Sequence, residues 1–300
     1  KNIIQNAPGK TRAYNNYGVH ISEEEGRYEE AISYFKKAIK MDPFYPDPHN
    51  NIAICYSHKK QLNLAIKHLK QSIQINPRAA EPYNNLASFL MELEKNQEAF
   101  ATLQKAIQIR PHYGKAYYNM GRIHMRNKNA EGAYECFKAC CTRADFDNAH
   151  GFRAYAFICF KLKKLDEAIF AYQKLLEIIP NDREALINLG SAHFYKKDYE
   201  NAKKVFGYML NAYPQDIPAA ANLAEVLFHS QEYQQALALF EKILSKSPKA
   251  EYYIRMAECL KQTGRTNDAI KMLEKLKQST LPFEIHKKIS NLIKQMQENS

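Results

Sequence analysis

Asparagine recurs at one register of a repeating pattern, and its side-chain amide suggests a specific binding chemistry. Asparagine is a mediocre helix former because its amide competes with the backbone for hydrogen bonds. Its recurrence at equivalent positions therefore indicates that these positions require it. A carboxamide offers one acceptor and two donors, so it can accept from a peptide N–H and donate to a peptide C=O. We call six residues the asparagine ladder: Asn16, Asn51, Asn85, Asn119, Asn188 and Asn222.

Basic residues accompany the ladder and could bias what it binds. Arg12 and Lys115 each precede a ladder residue by four positions, a spacing that puts both residues on one helix face. Two further arginines extend the face of Asn119, and two others lie at or beside the ladder register in repeats that lack the asparagine. We call these six residues the ladder cations: Arg12, Lys115, Arg122, Arg126, Arg153 and Arg255.

No catalytic motif accompanies these residues. The sequence contains no Gly-rich phosphate loop, His-Glu-x-x-His motif, nucleophile-elbow serine or paired-carboxylate cleft. His124 and His193 occupy packing or rim positions rather than positions suited to ligands or bases. We therefore expect this part of the protein to have no enzymatic activity, no cofactor and no catalytic residue.

Six cysteines fall mostly within apolar helical stripes, where we expect buried free thiols that pack as small hydrophobes. A metal site among them would need a further ligand and a characteristic loop spacing, and the sequence has neither. A disulfide within the group is possible on spacing alone but has no other support. The six are Cys55, Cys136, Cys140, Cys141, Cys159 and Cys259.

A strict alanine period identifies the elements that carry these side chains. A large residue follows each alanine by four positions, so the two share one helix face, and a proline closes most of the repeats. Each repeat therefore holds two apolar helices, and we expect a bulky residue at Ala99 or Ala202 to cost about 1–3 kcal/mol by overpacking. The alanines are Ala31, Ala65, Ala99, Ala133, Ala168, Ala202, Ala236 and Ala269, spaced by 33 to 35 residues.

The first helix of each repeat carries a further pattern, seen in Tyr83-Leu86-Ala87-Leu90, Tyr117-Met120-Gly121-His124 and Leu186-Leu189-Gly190-His193. With the period, it resembles the tetratricopeptide repeat (TPR) family. The resemblance implies an all-α, right-handed α-solenoid of eight helix-turn-helix units with a C-terminal capping helix. It also implies that the ladder register faces a concave groove, similar to the ladder of O-linked N-acetylglucosamine transferase.

The period divides the chain as follows. Residues 1–10 are the end of a preceding, truncated helix, which suggests a fragment of a larger protein, and residues 283–300 form the capping helix and tail. The fourth repeat ends on Asp145 where others end on proline. The predicted repeats are residues 11–45, 46–79, 80–113, 114–148, 149–182, 183–216, 217–249 and 250–282.

Composition narrows the partner class. The net charge is +11, spread evenly over both halves of the 300-residue chain, which mildly favours acidic partners. The sequence has no aromatic-basic motif of a nucleic-acid reader, so we expect no nucleic-acid binding. It has no apolar run that could insert this fragment into a bilayer and no signal peptide. The compartment stays open between cytoplasmic and, if an upstream membrane part tethers the chain, extracytoplasmic.

The sequence leaves several functions open. The first is a protein-interaction solenoid that binds extended segments of a protein or peptide partner along the asparagine ladder. The second is an accessory domain that presents acceptors to a membrane glycosyltransferase, since the opening residues 2–18 are similar to the juncture in multi-pass proteins with a TPR tail. The third is an assembly scaffold or co-chaperone. A co-chaperone carboxylate clamp is incomplete, because Glu184 and Glu251 stand where the family has lysine.

Overall fold

A computed structural model describes residues 11–142 and 148–298 of the chain. The predicted helix end in residues 1–10 and the irregular repeat end at Asp145 lie outside the described residues. The chain divides into two compact units, residues 1–155 and 156–300, and the division falls within the ninth described helix. Helices and short turns make up the described residues of both units, which confirms the all-α solenoid class.

The first unit is a succession of helix pairs. In each pair the two helices pack against one another, and the second helix packs on the first helix of the next pair. Neighbouring first helices also contact one another directly: α1 contacts α3, and α5 contacts α7. The helices are α1 Thr11–Glu24, α2 Tyr28–Met41, α3 Asp47–His58, α4 Leu62–Ile75, α5 Ala80–Glu92, α6 Asn96–Ile109, α7 Gly114–Arg126 and α8 Ala130–Cys141.

The second unit repeats this arrangement, and α11 contacts α13 just as neighbouring first helices do in the first unit. The ninth helix contributes its first half to one unit and its second half to the other. The helices are α9 Asn148–Lys161, α10 Leu165–Ile178, α11 Arg183–Tyr195, α12 Tyr199–Ala212, α13 Ile217–His229, α14 Tyr233–Leu244, α15 Ala250–Gln262, α16 Thr266–Lys277 and α17 Phe283–Glu298.

The periodic alanines allow the two helices of each pair to approach closely. All eight have no exposed surface, and the large residue four positions later is at most 3 % exposed. In three repeats the approach is closer still, because a glycine of the first helix faces a phenylalanine of the second. A Cβ atom at Gly121 would lie 2.5 Å from the Phe137 ring, so the ring occupies the space that a side chain would need.

Each helix pair is joined by a turn that contains one residue in the left-handed backbone region. In the first and last repeats this residue is Gly26 or Gly264, with φ of 64° and 76°. Glycine adopts this conformation without steric cost, whereas other residues pay about 1–2 kcal/mol. The other six repeats use non-glycine residues with φ between 57° and 66°: Lys60, Glu94, Lys128, Lys163, Lys197 and Gln231.

The last helix, α17, is amphipathic and covers the end of the second unit. It packs on α16 and α15 through Ile289, Ile293 and Met296, which are buried. Its opposite face is polar, which suits the terminal element of a repeat stack. Among the described residues, none of the helices is both long and apolar enough to cross a membrane.

Candidate functional site

Three of the four ladder residues of the first unit are held by a second set of asparagines. Each of the three donates its side-chain N–H to an asparagine carbonyl oxygen on the first helix of the preceding repeat, at Nδ2–Oδ1 distances of 2.9 to 3.0 Å. Each bond joins two successive first helices and fixes the plane of the donor amide. The pairs are Asn51 to Asn15, Asn85 to Asn50, and Asn119 to Asn84.

The accepting asparagines are hydrogen-bond partners of the ladder that the sequence analysis did not identify. Asn15, Asn50 and Asn84 are buried and lie directly before ladder residues in the chain. A buried amide needs hydrogen-bond partners, and the ladder supplies one to each of them. The Asn-Asn dipeptides at 15–16, 50–51 and 84–85 are the signal that could have revealed them.

The ladder residues of the first unit differ in accessibility. Asn16 is exposed, and Asn51 and Asn85 are half-buried. Asn119 is only 7 % exposed, and its carbonyl oxygen accepts from the Arg122 guanidinium at 3.3 Å. It is the least accessible of the six ladder residues. The open amides of this unit are therefore those of the first three repeats.

A polar groove surrounds Asn51 in the first unit. Asn15 and Asn50 line it together with the carboxylate-bearing Asp47 and Glu81. Prolines at positions 46 and 82 contribute its apolar part. This lining offers hydrogen-bonding groups in a depression beside the ladder, where an extended main chain has partners for both its N–H and its C=O.

In the second unit, Asn188 and Asn222 are both half-buried. Asn188 lies beside the hydroxyl of Tyr172, a buried residue whose pKa is raised by burial and by the Glu184 carboxylate. Asn222 lines a pocket between α11, α13 and α15, together with Tyr195 and Arg255. The second unit therefore keeps two ladder amides accessible, one of them at a pocket.

Several ladder cations bind neighbouring protein groups. Arg126 donates to the Met91 carbonyl at the end of α5, at 2.7 Å, and so connects two successive repeats. Arg255 pairs with Glu225 at 2.7 Å and with Glu258 at 2.8 Å. These contacts hold both guanidinium groups against other groups of the protein.

The other ladder cations differ in exposure. Arg12 and Lys115 are exposed and Arg153 is half-buried. Arg122, which bonds Asn119, is also exposed, and its guanidinium lies 5.9 Å from the Tyr118 ring centroid. Exposed cations screen readily with salt, so their effect on a ligand should be modest.

The cysteines are free, and all except the half-buried Cys141 are buried. Burial raises the thiol pKa of Cys55, Cys136 and Cys259 to about 11 in each case. Such thiols are protonated near neutral pH and act as small apolar groups. Within residues 11–142 and 148–298, no three His, Cys, Asp or Glu side chains are grouped so that they could hold a metal ion.

The repeat pattern and the helix pairs agree with known families. A tetratricopeptide repeat model matches residues 23–88, 90–139 and 230–286, together more than half of the chain. The chain belongs to the tetratricopeptide repeat family. A second model, described as anaphase-promoting complex, cyclosome, subunit 3, matches residues 165–243. TPR repeats generally bind protein partners and lack catalytic activity, so this chain is a protein–protein interaction scaffold. No curated protein matches the chain.

Solved TPR structures share the fold. YrrB, described as a TPR protein with an unusual peptide-binding site, has 22% identity and a TM-score of 0.56, covering 61% of this chain and 94% of its own. The pilF protein of Pseudomonas aeruginosa has 20% identity and a TM-score of 0.59, covering 70% and 94%. The Cut9-Hcn1 hetero-tetramer has 19% identity and a TM-score of 0.56, covering 75% and 44%. These likenesses concern the fold alone.

Proposed function

We propose that this TPR scaffold binds extended polypeptide segments of protein partners by their main chain, through the accessible residues of the asparagine ladder. The observation that carries the proposal is the bond from each of Asn51 and Asn85 to the preceding repeat. That bond uses one amide N–H and orients the rest of the amide. An oriented amide loses little side-chain entropy when a ligand binds.

The remaining groups of these amides suit a peptide ligand. Among the described residues, the structure gives no hydrogen bond to the Asn51 carbonyl oxygen, and only a 3.5 Å contact from Asn84 to that of Asn85. Each amide therefore keeps one acceptor and one N–H for a guest chain. A net gain of about 0.5–1.5 kcal/mol per hydrogen bond, less the cost of ordering the guest, corresponds to micromolar affinity.

The test variants must spare the bonds between repeats. Substituting Asn51 would leave the buried Asn15 oxygen unpaired and destabilise the fold, which would confuse the result. Among the described residues, Asn16, Asn188 and Asn222 make no such bond to a neighbouring first helix, and they are exposed or half-buried. The triple variant Asn16→Ala, Asn188→Ala, Asn222→Ala removes three amides of the ladder. Its matched control changes three exposed asparagines on other helices, Asn63, Asn211 and Asn291, to alanine.

The readout is fluorescence anisotropy with a dye-labelled twelve-residue peptide of alternating Thr and Ser, which we call the host peptide. We expect the ladder triple variant to bind it about ten-fold more weakly than the parent protein. The control triple should bind like the parent. Equal binding by the ladder triple, with unchanged circular dichroism and melting, would refute main-chain capture by these residues.

A second candidate function is an assembly scaffold that uses the second helices of the repeats. Phe170 on α10 and Tyr208 on α12 are about half exposed, and both lie within the segment that matches the subunit 3 model. If the host peptide fails to bind while Phe170→Ala, Tyr208→Ala abolishes association with a partner, this function replaces the first. The glycosyltransferase alternative stays a prediction, which the gene sequence upstream of Lys1 would test.

A further inference from the structure

The pocket that contains Asn222 combines aromatic side chains with polar and charged ones. It lies in the second unit between the first helices α11, α13 and α15. Tyr195 at its mouth is 65 % exposed, and its ring centroid lies 5.8 Å from that of Phe194. Phe194 in turn lies 5.2 Å from the ring of His229. The lining residues used here are Phe194, Tyr195, Asn222, Glu225, His229 and Arg255.

Exposed aromatic rings of this kind favour a cation. The face of a Phe or Tyr ring carries partial negative charge and attracts a guanidinium or ammonium group. The protein itself provides an example beside the pocket, since the Arg255 guanidinium lies 5.2 Å from the ring centroid of Phe228, which is outside the lining. A second cation over Tyr195 or Phe194 would meet the same type of surface.

The charged side chains at the pocket also favour a ligand cation. Glu225 and Glu258 both pair with Arg255, and of these two carboxylates Glu225 lines the pocket, so Glu225 shares the guanidinium with a second carboxylate. His229 is the other titratable group here, with its Nε2 3.9 Å from a Glu225 oxygen. Glu225 and Glu258 are about 30 % exposed or less, which limits screening by water. A ligand cation at the pocket would give the Glu225 carboxylate a second partner beside the shared Arg255.

An acidic ligand side chain has no comparable partner. The cation that lines the pocket, Arg255, already has two carboxylates, and a third would meet their repulsion. The net charge of +11 favours acidic partners at long range, but the guanidinium in this pocket is already paired. Position along the ladder therefore changes which side chain of a guest is preferred.

We infer that the pocket between α11, α13 and α15 binds a lysine or arginine side chain of a guest polypeptide, with its cation against Tyr195 and Glu225. Asn222 lies in the same pocket and binds the adjacent main chain. The inference rests on the proposed function, because it supposes a polypeptide along the ladder. It adds a side-chain preference that the ladder amides alone do not give.

Three versions of the host peptide test the inference by fluorescence anisotropy. One carries arginine at its centre, one carries citrulline, which has nearly the same shape without the charge, and one carries glutamate. We expect the arginine peptide to bind about five-fold or more tightly than the citrulline peptide. The glutamate peptide should bind most weakly, and added salt should reduce the advantage of arginine.

Variants locate the effect. Tyr195→Ala and Glu225→Gln should each remove most of the arginine advantage and leave citrulline binding unchanged. Phe283→Ala removes an exposed aromatic ring at the start of α17, outside the pocket, and should change neither. Because Glu225→Gln also removes an ion pair, Glu258→Gln serves as a second carboxylate variant, and melting curves check folding.

The outcomes separate this inference from the proposed function. If arginine and citrulline peptides bind equally, or the glutamate peptide binds more tightly, the cation pocket is refuted while main-chain capture stands. An arginine advantage that persists in Tyr195→Ala and in both carboxylate variants also refutes it. If none of the peptides binds, the proposed function fails, and this inference fails with it.

Discussion

At the scale of single residues, the structure gives a packing reason for three of the six ladder asparagines. In the first unit three of them each satisfy a buried amide of the preceding repeat, so they serve the fold as well as any ligand. The sequence predicted the ladder register from its period. The sequence analysis did not find the accepting row, because burial depends on how successive first helices stack, and a single repeat does not show that.

A histidine pair gives a residue-scale prediction about pH. His49 on α3 and His68 on α4 approach to 3.0 Å between their Nδ1 atoms, a contact that requires a neutral acceptor ring. Burial lowers the pKa of both, and that of His68 reaches about 4, helped by His49, Lys36 and Lys67. In the unfolded chain a histidine has a pKa of about 6.5. Protonation therefore favours unfolding, and stability is lost as pH falls from about 6.5 toward 4.

The pH prediction is measured by melting curves between pH 7.5 and pH 4.5. Because the His68 ring is partly exposed, we expect a loss of about 1 kcal/mol, seen as a drop of about 2–4 °C in Tm. His68→Gln should flatten this part of the profile. His150→Gln, at an exposed site on α9, should leave the profile unchanged. If Tm falls with pH at the same slope in both variants, the effect does not come from His68.

At the scale of elements, the structure explains how one repeat tolerates different packing residues. Where the second helix carries Phe137, the first carries Gly121, and where it carries Leu103, the first carries Ala87. In these two repeats the volumes of the two positions therefore compensate, whereas the equivalent positions of the seventh repeat hold Ala224 and Phe240. The sequence predicted the helices and the small residues from their period. The sequence did not predict in which repeats a smaller residue on the first helix packs against a larger residue on the second, because that depends on contacts across the helix pair.

The compensation gives an element-scale prediction. Gly121→Ala places a Cβ against the Phe137 ring, at 2.5 Å if nothing moves, and should cost about 1–3 kcal/mol by overpacking. In the double variant Gly121→Ala, Phe137→Leu, the smaller leucine reproduces the Ala87–Leu103 arrangement. We expect the double variant to be more stable than Gly121→Ala alone, as measured by urea unfolding. If Phe137→Leu costs the same with and without Gly121→Ala, the two positions are not coupled.

At the scale of the whole molecule, the sequence predicted the solenoid class and the TPR family. Both predictions are confirmed. They were accessible from sequence because the same short unit recurs along the chain, and every copy carries the same evidence for the architecture. The repeat boundaries and the ladder as a binding site stay predictions. Function was harder to predict because packing explains nearly every periodic residue, including those ladder asparagines that bond neighbouring repeats. The cation pocket depends on residues of three repeats, and one of them, Tyr195, does not recur at the equivalent positions of other repeats.

Main-chain capture is tested most directly by removing backbone N–H groups from the ligand. In an analogue of the host peptide, esters replace alternate peptide bonds, which deletes donors but keeps side chains and an extended shape. We predict that the analogue binds the parent protein at least about ten-fold more weakly, whereas a scrambled peptide of the same side chains binds within about three-fold. Equal affinity for the ester analogue and the host peptide would contradict the account.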